Sequence, residues 1–456
     1  MLLNLNSMVL TFSLSQIREI LDCSPVGLGE DSGKLRVSGI CTDSREIESG
    51  QLFVALKGEN FDGHRFVPQA AERGAWGIVT ERVCPDLSLP QFVVADALDA
   101  YQRLAQAWRR SLPAKIIGIT GSVGKTTTKE LVAAVLGHFG QVHKTQANYN
   151  NEIGVPKTLL QMTAEQDYGV VEMAMRGRGE IALLARIAEP NIGLITNVGA
   201  AHIERLGSEE AIAEAKCELL REMPKDSVAI LNHDNRRLIE TASRFWSGKT
   251  LTYGLEGGDF RGEWLGNQTL KIGELIFPVP LPGRHQASNY LAALASAEVL
   301  GLEWRRFTAG LTVEMPGGRA KQITLAPDIL LLDETYNAGV ESMLAALELL
   351  AQTPGRRRIA VLGAMKELGD WAPELHERVG AKVKELAIDA LFLLATDPAA
   401  DYIAQGAAGV PTERFEDRET LIEGLQKTLQ PGDRALFKAS NSVGLGEVVA
   451  ALIGAV

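Results

Sequence analysis

The sequence predicts an α/β protein of three successive units, the middle one built on a phosphate-binding loop and the last on a parallel, doubly wound sheet. Three observations carry this. Proline and glycine punctuation at Leu112-Pro113 and at Met315-Pro316-Gly317-Gly318 divides the chain into residues 1–112, 113–316 and 317–456. A β-branched strand at Lys115–Ile119 runs into a glycine-rich loop and then a helical pattern. In the last unit, strand-like runs at Ile329–Leu332, Ile359–Leu362, Ala390–Leu394 and Ala435–Phe437 alternate with helical stretches, the rhythm of a parallel sheet.

Composition limits the function classes. A chain of 456 residues with 46% hydrophobic and 23% charged residues is globular and too long for one ordinary core. A net charge of −11 argues against a polyanionic partner such as nucleic acid, while a single anionic nucleotide remains compatible with it. Cys23, Cys41, Cys84 and Cys217 form no CxxC pair and read as reduced thiols. Met1–Thr11 lacks the basic region and cleavage site of a signal peptide, and no apolar run reaches about 18 residues. The expectation is a cytoplasmic enzyme or binding protein.

The first unit mixes short strands at Gln51–Leu56, Gly77–Thr80 and Phe92–Ala95 with a helix at Leu98–Arg110. The second opens on the loop Thr120-Gly121-Ser122-Val123-Gly124-Lys125-Thr126-Thr127-Thr128, followed by a helical run Lys129–Leu136 that Gly137 closes. Such a loop cradles phosphates with backbone N–H groups and a helix N-terminus. Lys125 then neutralises the β and γ phosphates, and the Thr126 hydroxyl ligates Mg²⁺. The spacing departs from the usual pattern, with Ile119 where glycine is expected and Gly118 one residue early. A phosphate loop alone does not separate a ligase from a kinase, a GTPase or a motor.

Further along the middle unit, the strand Tyr168–Val171 leads into Glu172, a carboxylate at the edge where open α/β sheets bind ligands. It reads either as a second Mg²⁺ contact or as a solvated loop acid. The strand Ile192–Thr196 ends in Asn197 and is followed by His202, which is either a metal ligand or a histidine satisfied beside the next helix. Ser208 caps a helix running to about Arg221, on which Ile212, Ala213, Leu219 and Leu220 surround Lys216 with apolar side chains. Burial lowers a lysine's pKa, and a neutral amine reacts with CO₂ to give an anionic carbamate. The competing reading is an amphipathic lysine whose stem packs while its head reaches water. Gly317-Gly318 reads as a hinge or as a tight turn.

Eight segments in fixed order resemble the Mur ligases over nearly the whole chain. They are TDSREIESGQLFVALKGENFDGHRF from Thr42, TGSVGKTTTKE from Thr120, NYNNEIGVP from Asn148, the segment opening at Glu172, ITNVGAAHIERLGS from Ile195, LPGRHQASN from Leu281, DETYNAGVESM from Asp333 and LGAMKELG from Leu362. The resemblance implies an N-terminal UDP-sugar domain, a central ATP domain and a C-terminal Rossmann-like domain that closes over both. It implies an ATP-driven ligase that phosphorylates a substrate carboxylate and joins it to an amine, with two Mg²⁺ ions. By the same resemblance, Gly121, Ser122, Gly124, Lys125, Thr126 and Thr127 hold the phosphates, and Thr126 and Glu172 ligate one metal. Glu172, His202 and a carbamylated Lys216 surround the second. Asn289 lies beside the adenine, Asp333 accepts the ribose hydroxyls, and Arg319 reaches ATP on closure. Ser44, Arg45, Asp62, Gly63 and His64 contact the UDP-sugar.

TGSVGKTTTKE, NNEIGVP and TYNAGVESM resemble the member that joins D-alanyl-D-alanine to UDP-MurNAc-tripeptide in peptidoglycan synthesis, and a DNPR-like segment of the third-residue adder is absent. Tyr336, Asn337 and Ser342 then border the dipeptide pocket, Ser342 reading equally as the N-cap of a helix Met343–Ala351. A monomer is the expectation, though no motif carries it. Two departures stand out: Glu172-Met173-Ala174 replaces EMG, and Lys438-Ala439-Ser440-Asn441 replaces a KGSR-like segment, so only Lys438 and Ser440 carry over. Competing readings are the third-residue adder, a folylpolyglutamate-synthase-like ligase, a P-loop kinase and a non-catalytic, nucleotide-gated UDP-sugar binder.

Overall fold

The computed structural model describes residues 10–27, 32–58 and 61–454; residues 1–9, on which most of the leader reading rests, lie outside them. Toward the N-terminus, four short parallel strands, Ile40–Cys41, Leu52–Val54, Gly77–Thr80 and Gln91–Val93, lie in chain order in one sheet. The helix Ala97–Ser111 follows, its start fixed by Asp96, whose side chain accepts from the N–H groups of Leu98 (2.8 Å) and Asp99 (3.0 Å). Its buried face, Ala97, Ala100, Tyr101, Leu104, Ala105 and Trp108, has helical spacing. That helix also ties forward: Trp108 Nε1 donates to Met162 O (2.9 Å) and Arg109 Nε to Ala188 O (3.0 Å).

A seven-stranded, wholly parallel sheet comes next. Its spatial order is Phe260–Arg261, Lys249–Gly254, Val228–Asn232, Ile192–Ile195, Lys115–Thr120, Tyr168–Glu172 and Val142–Lys144. The chain enters at Lys115–Thr120, runs to the edge strand Val142–Lys144, returns to Tyr168–Glu172 between them, then crosses to build outward on the other side. The C-terminal end of that strand is therefore a switch point, where open sheets leave a crevice. The helix Arg284–Val299, rich in buried alanine, packs against the helix Lys125–Leu136 and so brings Asn289 to the loop that precedes it.

The last sheet has six strands, in the order Lys321–Leu325, Ile329–Asp333, Asp433–Lys438, Arg357–Gly363, Ala390–Leu394 and Thr412–Phe415. Five are parallel, as the alternating rhythm predicts. The edge strand Lys321–Leu325 is antiparallel to its neighbour, because only three residues separate the two and a parallel crossover needs a dozen or more.

Local differences from the sequence reading have simple causes. The phosphate-loop helix begins at Lys125, not Lys129, since Gly124 adopts φ +81° as its N-cap and places Lys125 and Thr126 in the first turn. The helix after Asn337 runs Val340–Gln352 with Gly339 as N-cap. Ser342 is thus inside the first turn and is not the cap, its Oγ accepting from Gly339 N (3.1 Å). Among the described residues no helix is long and apolar enough to cross a membrane, and all four cysteines are free.

Candidate active site

A cleft of about 810 Å³ lies between the seven-stranded and six-stranded sheets, at the C-terminal ends of Lys115–Thr120, Tyr168–Glu172, Ile329–Asp333 and Asp433–Lys438. Its floor is the phosphate loop. Gly121 is required by close packing, since a Cβ there would stand 1.9 Å from Thr196 Oγ1. Asn197 grips the loop by accepting from Val123 N and donating to Val123 O, both at 3.0 Å. No side chain caps the helix after Gly124, so the N–H groups of its first turn stay free to meet an anion. Lys125 Nζ donates to Gly121 O (2.8 Å), and burial lowers its pKa against the opposing pull of Glu172. Ser122, Thr126 and Thr127 are buried in the same wall.

Glu172 is the last residue of its strand and 3% exposed, not a solvated acid. Its backbone N–H donates to Thr145 Oγ1 (3.0 Å) and its Oε1 accepts from Asn150 Nδ2 (2.8 Å). Its other oxygen, Oε2, is buried with no partner in the protein, the condition expected of a carboxylate shaped for a cation. Lys216 is 1% exposed, so its ammonium does not snorkel to water. Desolvation first, and the charge of Lys125 second, drive its pKa well below the ordinary lysine value. A neutral amine is the form that attacks CO₂. His202 sits at φ +66°, with Nδ1 2.5 Å from Glu367 Oε2 of the C-terminal unit. Burial lowers its pKa, opposed by Glu367. Among the described residues no three His, Cys, Asp or Glu side chains form a metal-ligating group, so any cation held here draws on hydroxyl, amine-derived or phosphate oxygens as well.

Asn289 Oδ1 accepts from Thr128 Oγ1 (3.3 Å), and a Cβ on Gly124 would come within 2.8 Å of it. The structure therefore sets this side chain directly against the phosphate loop. From the other side, the Arg319 guanidinium stacks 3.7 Å over the Tyr336 ring, and its buried Nε has no partner. Asn337 and Ser342 line the same wall. Asp333 turns inward instead, Oδ1 accepting from Thr335 N (3.2 Å) and Oγ1 (2.7 Å), while its neighbour Glu334 lines the cleft. Lys438 Nζ donates to Asn337 O (2.9 Å), Ser440 Oγ accepts from Lys366 N (2.9 Å), and Asn441 Nδ2 donates to Tyr336 O (3.1 Å). The altered terminal segment thus braces the Tyr336–Asn337 loop.

The remaining candidates gather in the N-terminal unit. Asp62 accepts from His64 N (3.0 Å) and from His64 Nδ1 (2.6 Å), and His64 Nε2 accepts from Glu81 N (3.0 Å). Gly63 leaves no room for a side chain, as a Cβ would lie 2.4 Å from Leu56 O. Ser44 is buried and donates to Gln69 Oε1 (2.7 Å), whereas Arg45 is exposed and pairs with Asp43 (2.6 Å). None of these five lines the large cleft. Sequence reasoning passed over Asn150, Asn197, Glu334, Glu341 and Glu367. All but Glu334 act through partners distant in the chain, and only the quoted motifs, which contain all five, offered a signal.

Comparison with known proteins agrees with this geometry. Family models match in three blocks: Mur ligase family, catalytic domain, over residues 36–103; Mur ligase middle domain over 119–297; and Mur ligase, glutamate ligase domain, over 318–441. The chain is 60% identical over 443 residues to the UDP-N-acetylmuramoyl-tripeptide–D-alanyl-D-alanine ligase of Synechocystis sp., covering 97% of each. MurF from Acinetobacter baumannii superposes with a TM-score of 0.88 at 30% identity, over 98% of this chain and 99% of that one. MurF from Thermotoga maritima in complex with ADP gives 0.81 at 31% identity, over 90% and 96%. By sequence blocks and fold alike, the chain belongs to the Mur ligase family.

Proposed function

We propose that this protein is an ATP-dependent ligase that adds D-alanyl-D-alanine to UDP-MurNAc-tripeptide, a step of peptidoglycan precursor synthesis in the cytoplasm, and that it acts as a monomer. The observation that carries the reading is the buried, half-partnered Glu172 beside the phosphate loop, in a cleft that the Arg319 and Tyr336 side enters. The 60% identity to a ligase of that name supports the choice of substrates.

In the first step a carboxylate oxygen of the tripeptide attacks the γ-phosphorus. The bond to the β–γ bridging oxygen breaks, ADP leaves, and an acyl phosphate forms. The uncharged amine of D-alanyl-D-alanine then attacks the acyl carbon, and the tetrahedral adduct expels phosphate as the nitrogen loses its proton. Lys125, the free N–H groups of the first helical turn and Arg319 meet the charge that migrates over the phosphates. Gly121, Ser122, Gly124, Thr126 and Thr127 shape the cradle, with Asn289 against it.

Thr126 and Glu172 would hold one Mg²⁺, and Glu172, His202 and a carbamylated Lys216 the second. Bound there, the ions neutralise charge between carboxylate and phosphate. Lys438 holds the loop bearing Tyr336, Asn337 and Ser342 toward the dipeptide, Ser440 holds the neighbouring backbone at Lys366, and we assign Asp333 to the nucleotide through that same strand end. Ser44, Arg45, Asp62, Gly63 and His64 are assigned to the UDP-sugar, in a division of the chain at 112/113 and 316/317.

Tripeptide labelled with heavy oxygen in its terminal carboxylate tests the chemistry. An acyl phosphate delivers one labelled oxygen to the released phosphate; unlabelled phosphate would exclude it, and a stable phosphorylated product would indicate a kinase.

A further inference from the structure

The segment Gly199–His202, between the strand Ile192–Ile195 and the short helix Ile203–Leu206, is held from two directions. On one side the phosphate loop grips it, with Ser122 Oγ accepting from Gly199 N (2.9 Å) and donating to Gly199 O (3.2 Å). On the other side two carboxylates reach across from the C-terminal unit. Glu341 Oε1 accepts from Ala200 N (2.9 Å), and Glu367 Oε2 lies 2.5 Å from His202 Nδ1.

The two units are shaped to each other at these points. A Cβ on Gly199 would fall 2.3 Å from the Glu341 carboxyl carbon, so only glycine lets that carboxylate reach Ala200. In the opposite direction, a Cβ on Gly369 would fall 2.8 Å from Glu204 Cγ. His202 and Glu367 both hold left-handed backbone, at φ +66° and +62°. Such a backbone is strained for a non-glycine residue, and it persists where surrounding contacts fix it. Two strained residues facing one another across a unit boundary, joined by a short hydrogen bond, mark a built contact.

We infer that Glu341 and Glu367 form a two-point clamp of the C-terminal unit on Gly199–His202, in which Glu367 is a positioning residue that turns the His202 ring toward the cleft. A carboxylate bound to Nδ1 fixes the ring's orientation and leaves Nε2 as its working atom. Because the carboxylates belong to one unit and the histidine to the other, His202 is oriented only when the two are closed. Ser122 links the clamped segment directly to the phosphate loop, so nucleotide binding and closure act on the same four residues. The clamp rests on the proposed function only for what His202 then does.

The test uses the full-length protein and small-angle X-ray scattering with Mg²⁺ and a non-hydrolysable ATP analogue, so its outcome does not depend on the peptide substrates. Wild type is expected to compact on adding the analogue. The double variant Glu341→Ala/Glu367→Ala is expected to remain extended and to bind the analogue more weakly, since binding and closure are linked. Glu341→Gln alone keeps an acceptor for Ala200 N and is expected to compact normally. Glu367→Ala alone is expected to lower kcat by about ten- to a hundredfold, as for loss of an outer partner of a functional histidine. Normal compaction of the double variant would overturn the clamp. So would a Glu341→Gln protein as extended as Glu341→Ala, since charge and not the hydrogen bond would then hold the units. Failure of the assigned substrates to turn over, with compaction intact, would strike the functional reading and leave the clamp standing.

Discussion

Asn150 Nδ2 donates to Glu172 Oε1 at 2.8 Å, fixing one oxygen of that carboxylate while Oε2 stays buried and unpartnered. A buried acid held this way is ready for a cation and costly without one. Glu172→Gln keeps the acceptor for Asn150 but removes the charge. It is expected to lower kcat/KM by about 10²–10³-fold with the fold intact. Rates measured against Mg²⁺ concentration check this, and a variant with wild-type kcat/KM would refute the role.

Lys125 stands in the first turn after Gly124, where a phosphate anion would meet it. Lys125→Ala is expected to reduce phosphate release by at least about 10²-fold. Release at the wild-type rate would remove Lys125 from the phosphate cradle.

Lys216 is almost completely buried, and desolvation favours its neutral amine. Carbonyl NMR of the protein with labelled bicarbonate is expected to show a carbamate signal that Lys216→Ala lacks. Activity of Lys216→Ala is expected to recover in part with a small added carboxylate. A spectrum identical in the two proteins would exclude the modification.

His285 is held neutral, its pKa pushed down to about 4 by burial and, secondarily, by Lys438. The unfolded chain binds this proton at ordinary histidine values and the folded chain does not. Its contribution to stability is therefore full above about pH 6.5 and is lost as pH falls toward 4. Urea unfolding of wild type and His285→Gln across that window checks the sign: the difference between them should shift in favour of the variant as pH falls. A pH-independent difference would contradict it.

Asp433 is fully buried and accepts from Arg357 Nε (2.8 Å) and Nη2 (2.5 Å) and from Gln430 N (2.8 Å). Asp433→Ala leaves these donors unpaired at the start of the central strand Asp433–Lys438 and, with the Arg357 side chain still partly open to water, is expected to cost about 1–3 kcal/mol. Denaturant midpoints measure it, and a loss below about 1 kcal/mol would show that the pair is screened like a surface bridge.

The parallel sheets were legible because their strands read as continuous apolar runs between glycine and proline, as at Ile329–Leu332 and Ala390–Leu394. Glu172 was legible as a candidate because it stands at the C-terminal end of a strand, where open sheets bind ligands. Its burial was not, since that depends on Thr145 and Asn150, which the sequence places more than twenty residues away. The edge strand Lys321–Leu325 escaped notice because its alternation, Gln322 and Thr324 against Ile323 and Leu325, is short and weak. Glu341 and Glu367 lie in quoted motifs but show no role from their own neighbours: their meaning lies in Ala200 and His202, which only the fold brings near.

The most direct test of the central claim is phosphate release with ATP, Mg²⁺, UDP-MurNAc-tripeptide and D-alanyl-D-alanine, each omitted in turn, with the product identified by mass. The account predicts turnover only with all four present, and a product whose mass equals tripeptide plus dipeptide less water. Silence with that pair, together with turnover of a UDP-linked dipeptide and a diamino acid, would contradict it and assign the chain to the third-residue step.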